Sequence, residues 1–233
     1  MKLQPIATNF TLKDHVYERL RDAIIGMNIY EDDADLRLDE RSMAQQLQVS
    51  RTPLREALTR LENDGFIQIR PRKGVFVIRK TLEEILEMIV AWAALESMAA
   101  RMAAEAASDA QIKALRKHAQ RHSESSSQAD LSEYSEANIT FHQMILDMSG
   151  CKLLAEMADG LFVHMHAVRR RALEENDRAT RSVVDHLAII EAIEERDADL
   201  AAQLVRKHTM RLHDHVRRAW TKFENTQRNK AAS

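Results

Sequence analysis

Two arginines in the stretch VSRTPLREAL have the spacing needed to contact nucleic acid. Arg51 and Arg55 are four residues apart and follow Ser50, a residue type that caps helices. Side chains four apart lie on one face of an α-helix, so the two guanidinium groups would project together. An arginine fork can bond O6 and N7 of guanine at once, while small hydroxyls such as those of Ser50 and Thr52 fix register on phosphates.

The basic charge of the chain is concentrated near these arginines. Residues 41–80 hold nine basic and three acidic side chains, whereas 31–40 hold six acids and one arginine, within a chain of net charge -2. Because phosphate attraction acts over about 10 Å at moderate salt, a weakly acidic whole does not argue against nucleic acid. Charge alone also leaves open an ordinary solvated surface.

The elements around the arginines predict a winged helix-turn-helix. Capping signals and apolar spacing predict three helices, over about 12–27, 40–47 and 51–63, preceded by Thr11, Asp39 and Ser50. After Gly65 the period changes, and FIQIR and VFVIR are two short strands joined by a turn that carries Arg70, Arg72 and Lys73. In such a domain the third helix enters the major groove and the wing reaches the flanking backbone.

The rest of the sequence predicts helices only, which makes the expected class mostly α. The expected helices form a six-helix bundle and span 82–106, 109–126, 131–149, 151–171, 179–195 and 198–222. We therefore expect three segments: a winged domain over 1–80, an all-helical effector-binding and dimerisation domain over 81–223, and a disordered tail over 224–233.

The composition limits the cellular compartment of the protein and the kinds of disulfide and metal site that it can form. The single cysteine, Cys151, excludes an internal disulfide and a cysteine-built zinc site, and it fits a reducing compartment. The longest apolar run, Met88 to Leu95, is too short to span a bilayer, and MKLQPIATNF lacks the apolar core of a signal peptide. These features predict a cytoplasmic protein without a membrane partner.

The stretch from Val49 to Gly74 resembles the GntR family of bacterial transcription regulators. Its match is the succession of a valine, Ser-Arg, Thr-Pro, Leu, Arg-Glu-Ala-Leu, a leucine-rich turn, Gly and a wing glycine. The resemblance implies DNA contacts at Arg41, Arg51, Arg55 and Gly74, with phosphate contacts from Ser50 and Thr52; the wing adds Arg72 and Lys73. The loop YEDDAD departs from the family, which usually has a Pro-Gly turn there.

Residues 82 to 220 resemble the FCD ligand-sensing domain of the FadR branch, in its six-helix, VanR-like form. The resemblance is carried by Leu95-Glu96, FHQMI at 141–145, His186-Leu187, EAI at 191–193 and His208. It implies a domain that binds a small organic acid.

The FCD resemblance also implies a metal site. Many members hold a divalent metal through an Asp, a His four residues on and two later histidines; the corresponding positions here are Asn138, His142, His186 and His208. Imidazole ligands fit zinc, nickel or cobalt better than calcium. Asn138 is neutral where the family often has a carboxylate, so an anionic effector could complete the coordination sphere. The alternative is a set of hydrogen-bonded core histidines. His215, seven residues after His208, could face the same cavity but is not assigned to it.

Two residues are expected to line the effector pocket. Trp92 stands where family members commonly have an arginine, and Arg101 could supply positive charge instead, as could the run Arg169-Arg170-Arg171. From residue type alone, core packing remains the alternative for Trp92.

These observations predict a homodimeric, ligand-responsive transcription regulator, commonly a repressor in this family. A twofold protein implies a short inverted-repeat operator in double-stranded DNA, and a small organic acid would shift the dimer between two arrangements. Two other functions stay open: a metal-dependent enzyme in the helical domain, and an architectural DNA-binding dimer without an effector.

Overall fold

The chain divides into two compact units, Met1–Arg79 and Lys80–Ser233. The computed structural model describes residues 11–27, 29, 34–125, 131–158, 160–161, 164 and 176–231. Within the terminal portions 122–125, 131–136, 176–180 and 221–231 of its helices, only the backbone is described. Among the described helices, none has both the length and the apolar character needed to cross a bilayer.

The first unit contains the three predicted helices, with bounds α1 Leu12–Gly26, α2 Glu40–Gln46 and α3 Arg51–Asn63. The N–H and hydroxyl of Thr11 both donate to Asp14, at 2.9 and 2.7 Å, which fixes the start of α1. Asp39 accepts from the N–H of Ser42 at 2.6 Å and caps α2. Ser50 occupies the cap position of α3 in extended conformation, but its side chain makes no capping bond.

The sheet has three antiparallel strands rather than the two predicted. They are β1 Arg37–Leu38, β2 Ile67–Arg70 and β3 Gly74–Val77, in the order β1-β3-β2. The added strand pairs Arg37 with Phe76 and Leu38 with Val75. Two residues are too few to produce a periodic sequence pattern, so the sequence alone does not predict β1. It is recognised as a strand only by its pairing with β3.

The core of the first unit lies between α1, α3 and the sheet. Its buried apolar side chains include Val16, Leu20, Ile24, Leu54, Leu58, Leu61, Phe66, Ile67, Val75 and Val77. Tyr17 closes its edge, because its hydroxyl donates to Asp64 at 2.7 Å while Arg60 lies 3.9 Å over its ring. Burial and this bond to Asp64 raise the pKa of Tyr17, so the phenol stays protonated. α3 is thus held from behind, and its other side is left exposed.

The second unit is all helical, with α4 Leu82–Ala106, α5 Asp109–Ser125, α6 Leu131–Met148, α7 Asn176–Glu194 and α8 Ala198–Ala231. Residues 152–158 are also helical; much of the remaining predicted helix over 151–171, with Arg169-Arg170-Arg171, lies outside the described residues. The mostly α class with a winged N-terminal domain is confirmed.

The backbone of α8 is helical to Ala231 and so extends into the segment 224–233, for which the sequence predicts disorder. Disorder of this tail stays a prediction. The segment ENTQRNKA contains neither proline nor glycine, so nothing in it stops a helix whose preceding turns are already formed.

α4 is the central helix of the second unit and packs against α6, α7 and α8. Its buried face is rich in alanine, including Ala93, Ala99, Ala100, Ala103 and Ala104. Small side chains allow close approach, and the hydroxyl of Ser97 donates to the carbonyl of Ala202 on α8 at 2.9 Å. Arg196, in the α7–α8 turn, donates to the carbonyl of Ala107 at 2.7 Å and thereby joins that turn to the C-terminal end of α4.

Replacing Leu61 with alanine tests how strongly the core supports α3. Leu61 is fully buried, so Leu61→Ala should destabilise the first unit by about 2–5 kcal/mol through lost burial and a cavity. Hydrogen exchange of α3 amides in the full-length protein measures this loss. The control, Glu56→Ala, removes only an exposed ion pair with Lys13 and should change the free energy by less than about 1 kcal/mol. Equal exchange in both variants would contradict the assignment of this core.

Candidate functional site

The exposed face of α3 carries the predicted arginine pair. Arg51, Thr52 and Arg55 are exposed, while Leu54 and Leu58 of the same helix are buried. Arg55 is 70% exposed and its Nε lies 3.2 Å from Oε2 of Glu40 on α2. An exposed pair of this kind is worth less than about 1 kcal/mol, so an anion can compete for the guanidinium group.

Three arginines from different elements meet at a shallow cavity of about 280 Å³. Arg41 comes from the first turn of α2, Arg51 from the start of α3 and Arg37 from β1, and Gly74 closes the cavity from the wing. Asp39 and Glu40 also line it. The fold therefore brings together residues that lie far apart in the sequence and forms a basic surface next to the exposed face of α3.

The wing turn presents the remaining predicted contacts. Arg72 and Lys73 are exposed, and Arg72 adopts a left-handed φ of 62°. Gly74 has φ 113°, and a Cβ there would lie 3.5 Å from Nε of Arg37. The positive φ favours glycine at this position, while a Cβ would make only ordinary van der Waals contact with Arg37.

Arg37 is a residue that sequence reasoning missed. It lies in the acidic stretch EDDADLRLDE, where a single arginine gives no signal of its own. Only the pairing of β1 with β3 carries it to Arg41 and Arg51. The one available signal was its position two residues before Asp39, the cap of α2, which places a basic side chain near the start of that helix.

In the second unit, three histidines from three helices converge. His142 comes from α6, His186 from α7 and His208 from α8, with one ring nitrogen of each within 4.8 Å of the others. The ring centroids lie 4.8 to 5.5 Å apart. Phe141 stacks on His186 at 3.8 Å and fixes the plane of that ring. The histidine cluster, as we call these three residues, is buried or nearly so.

Asn138 lies one helical turn before His142 and is 7% exposed. Its Oδ1 accepts from the hydroxyl of Ser182 at 3.4 Å, and the same hydroxyl lies 3.4 Å from Nε2 of His186. Asn138 is therefore joined to the histidine cluster through Ser182, and its carbonyl oxygen faces the same region of the bundle.

A buried carboxylate supports the histidine cluster, although the sequence analysis gives it no role there. Oε1 of Glu96 lies 2.5 Å from Nδ1 of His142, and both side chains are 1% exposed. Its other oxygen accepts from the hydroxyl of Thr209 at 2.8 Å. The available signal was a glutamate on the otherwise apolar stripe of α4 that contains Ile89, Ala93 and Ala100.

A second carboxylate supports His208. Oδ2 of Asp185 lies 3.1 Å from Nδ1 of His208, and Arg211 donates to the same carboxylate. Burial raises the pKa of Asp185, but the hydrogen bonds from His208 and Arg211 outweigh it and hold that pKa below its ordinary value. Asp185 therefore stays ionised behind the imidazole.

The donor set fits a borderline transition metal. Carboxylates lie next to Nδ1 of His142 and His208, so Nε2 would be the nitrogen that coordinates a metal, which is the arrangement that metal-ligating histidines generally have. Nitrogens around one tetrahedral ion lie roughly 3.3 Å apart, given bonds of about 2.0 Å. The present nitrogens lie within 4.8 Å, so only small side-chain adjustments separate this cluster from a coordination site.

The two residues predicted to line the effector pocket, Trp92 and Arg101, lie outside the lining of the cavity next to His208. Trp92 is 1% exposed within the bundle core. Arg101 pairs with Glu105 at 3.4 Å and also with Asp199 at the start of α8. Neither side chain lines the cavity that adjoins His208, whose volume is about 540 Å³. His215, which the sequence leaves unassigned, does line it.

Profiles of two protein families match the chain. Residues 87–222 match the FCD domain, and residues 12–77 match the bacterial regulatory proteins of the gntR family. The two matches fall on the histidine-bearing bundle and on the winged unit respectively.

Similar proteins agree with these matches. The HTH-type transcriptional repressor RspR of Escherichia coli K12 is 25% identical over 180 residues, which cover 77% of this chain and 79% of that protein. A regulator in an unstable DNA locus of Streptomyces ambofaciens is 27% identical over 213 residues, or 89% of this chain and 86% of its own. Among solved structures, E. coli McbR/YncC has a TM-score of 0.77 at 20% identity, covering 90% of this chain and 99% of that one, and therefore shows the fold.

Proposed function

The chain belongs to the GntR family of bacterial regulatory proteins and carries an FCD domain, and from this premise we propose that it is a repressor controlled by a small organic acid at a metal site. A GntR helix-turn-helix with an FCD domain is a transcription regulator with a ligand-sensing domain, not an enzyme, which removes the enzyme alternative. The observation that carries the proposal is the pairing of a basic winged surface with a histidine cluster in one chain.

DNA recognition is assigned to the exposed face of α3 with the basic surface beside it. Arg51 and Arg55 would read bases in the major groove, while Ser50, Thr52 and the N-terminal amides of α3 would hold phosphates. Arg41 and Arg37 would meet the backbone, and the wing residues Arg72, Lys73 and Gly74 would meet the flanking strand. Glu40 would release Arg55 on binding, because their exposed ion pair is weak.

Substituting Arg51 tests this assignment. Arg51→Ala should weaken binding to the operator by at least about tenfold while leaving the fold intact, because it removes one bidentate base contact. A gel shift with the upstream region of the protein's own gene measures the effect, and circular dichroism checks the fold. Arg206→Ala, which removes an exposed arginine from α8, should bind as the wild type does. Sequence-specific binding fully retained by Arg51→Ala would overturn the assignment.

His142, His186, His208 and Asn138 would hold a divalent metal such as zinc or nickel. The metal would supply a positive centre for a carboxylate ligand. Three neutral imidazoles and a neutral amide bring no charge of their own, so Glu96, in contact with His142, provides the compensating negative charge. Glu96 and Asp185 would orient His142 and His208 and raise their basicity.

Zinc titration tests the metal site and the role of Glu96 in supporting it. Glu96→Gln should weaken zinc binding by about 10- to 100-fold, since an amide orients and polarises His142 less well than a carboxylate. Glu83→Gln, on the exposed first turn of α4, should leave zinc affinity unchanged. Competition with a chromophoric chelator gives the dissociation constants, and chelation of the wild type should lower its melting temperature. An unchanged melting temperature with no metal by elemental analysis would exclude the site.

The active species would be a homodimer formed through the outer face of α4. Val90 and Met98 are 49% and 50% exposed there, with Ala91 and Ala94 exposed between them. In an antiparallel pair of α4 helices centred on Ala94, Val90 of one protomer meets Met98 of the other. The same twofold symmetry brings Glu87 of one protomer opposite Arg101 of the other, so apolar positions face apolar ones and opposite charges face each other.

A charge on this face should separate the protomers. Met98→Glu should convert the dimer to a monomer in analytical ultracentrifugation, because two carboxylates would enter an apolar contact. Val184→Glu makes the same change at an exposed apolar residue of α7 and should stay dimeric. A dimeric Met98→Glu, or a monomeric wild type, would contradict this interface.

The effector would act by shifting the dimer between two arrangements of its winged domains. It can shift this equilibrium only by as much as it prefers one arrangement. The protein would act in the cytoplasm, where a twofold dimer contacts the two half-sites of an inverted repeat. A small change in the distance between the two winged domains is therefore enough to weaken binding to DNA.

A further inference from the structure

A row of basic residue types lies along the groove between α7 and α8, and only the first residue of the row belongs to the proposed metal site. His208, Arg211, His215 and Arg218 recur at intervals of three, four and three residues, so they lie on one face of α8. At 1.5 Å per residue the row extends about 15 Å along the helix. Its first member belongs to the histidine cluster, and the other three lead away from it.

The cavity along this row has the size of a ligand site. Its volume is about 540 Å³, within the range of small-molecule pockets. Arg181, Ser182 and Asp185 of α7 form the opposite wall, and Ser182 bonds to Asn138. The cavity therefore runs from His208, the member of the histidine cluster that lines it, to arginine side chains at the other end.

Charge along the cavity favours an anion at its far end. Three arginines face two carboxylates, Asp185 and Asp214. Asp185 is already held by His208 and Arg211, close to the histidine cluster. Among the described side chains, no carboxylate comes within ion-pair distance of Arg218. Positive charge thus remains at the end away from His208.

We propose that this groove selects a linear dianion, with one carboxylate at the histidine cluster and a second anionic group held by Arg218 and its neighbours. The inference rests on the proposed metal-dependent effector site and adds the class of effector, a dicarboxylate or a closely similar dianion. It also moves the anion-binding arginine from α4 to α8. The second anionic group is the specificity element, because a monoacid would leave the arginine end of the groove unused.

Matched ligand pairs test the second anionic group. Full-length, zinc-loaded protein is titrated by calorimetry with linear dicarboxylates from succinate to pimelate and with the half-amide of each, which has the same shape and one charge less. At least one diacid should bind about 10- to 100-fold more tightly than its half-amide, the range expected for one charge-assisted contact. Arg218→Ala should remove this preference, and Arg218→Lys should restore part of it.

A neighbouring arginine supplies the control. Arg217 is exposed on the same turn of α8 but does not line the cavity, so Arg217→Ala should keep the preference for the diacid. Equal affinity for diacid and half-amide, or a preference that survives Arg218→Ala, would overturn the dianion proposal and leave the metal-dependent effector site standing. Binding of neither ligand to the zinc-loaded protein would overturn both.

Discussion

Glu96 places a carboxylate in the core of the helical unit, and the surrounding structure is arranged to compensate it. An isolated buried charge costs several kcal/mol, so the contacts with His142 and Thr209 are requirements of the fold as much as of the site. Those contacts draw α6 and α8 against α4. The same constraint gives a physical reason for Asn138, because a carboxylate there would add a second negative charge one helical turn from His142.

The winged unit follows the opposite electrostatic rule, because its charges are kept at the surface. Arg41, Arg51 and Arg55 are exposed, and the contact of Arg55 with Glu40 is an ion pair that a phosphate or base can replace at little cost. The apolar stripe behind them fixes the position of α3 without using these side chains. The two units therefore use charge differently: buried charge fixes geometry in one, and exposed charge is left available for a partner in the other.

Local sequence patterns were sufficient for the helices but not for the contacts between them. The bounds of α3 and α4 follow from caps and apolar spacing, and the three histidines were found because a family resemblance pointed to them. Arg37 and Asp185 were missed because their positions depend on pairing with residues 39 and 23 positions away, which no local period encodes. Glu96 was visible as a charged residue on an apolar stripe, but its partner His142 is supplied by another helix.

α8 connects all the features of the second unit that bear on ligand sensing. It contributes His208 to the histidine cluster, Thr209 to the bond with Glu96, and Arg218 to the far end of the groove. A ligand that bridged His208 and Arg218, as proposed, would act along the axis of α8, and α8 packs along α4 through close alanine contacts. Since tightly packed helices shift as units rather than deform, a displacement of α8 must be taken up by α4. α4 begins five residues after β3 ends, so the helix against which α8 packs is also the one that directly follows the winged unit in the chain.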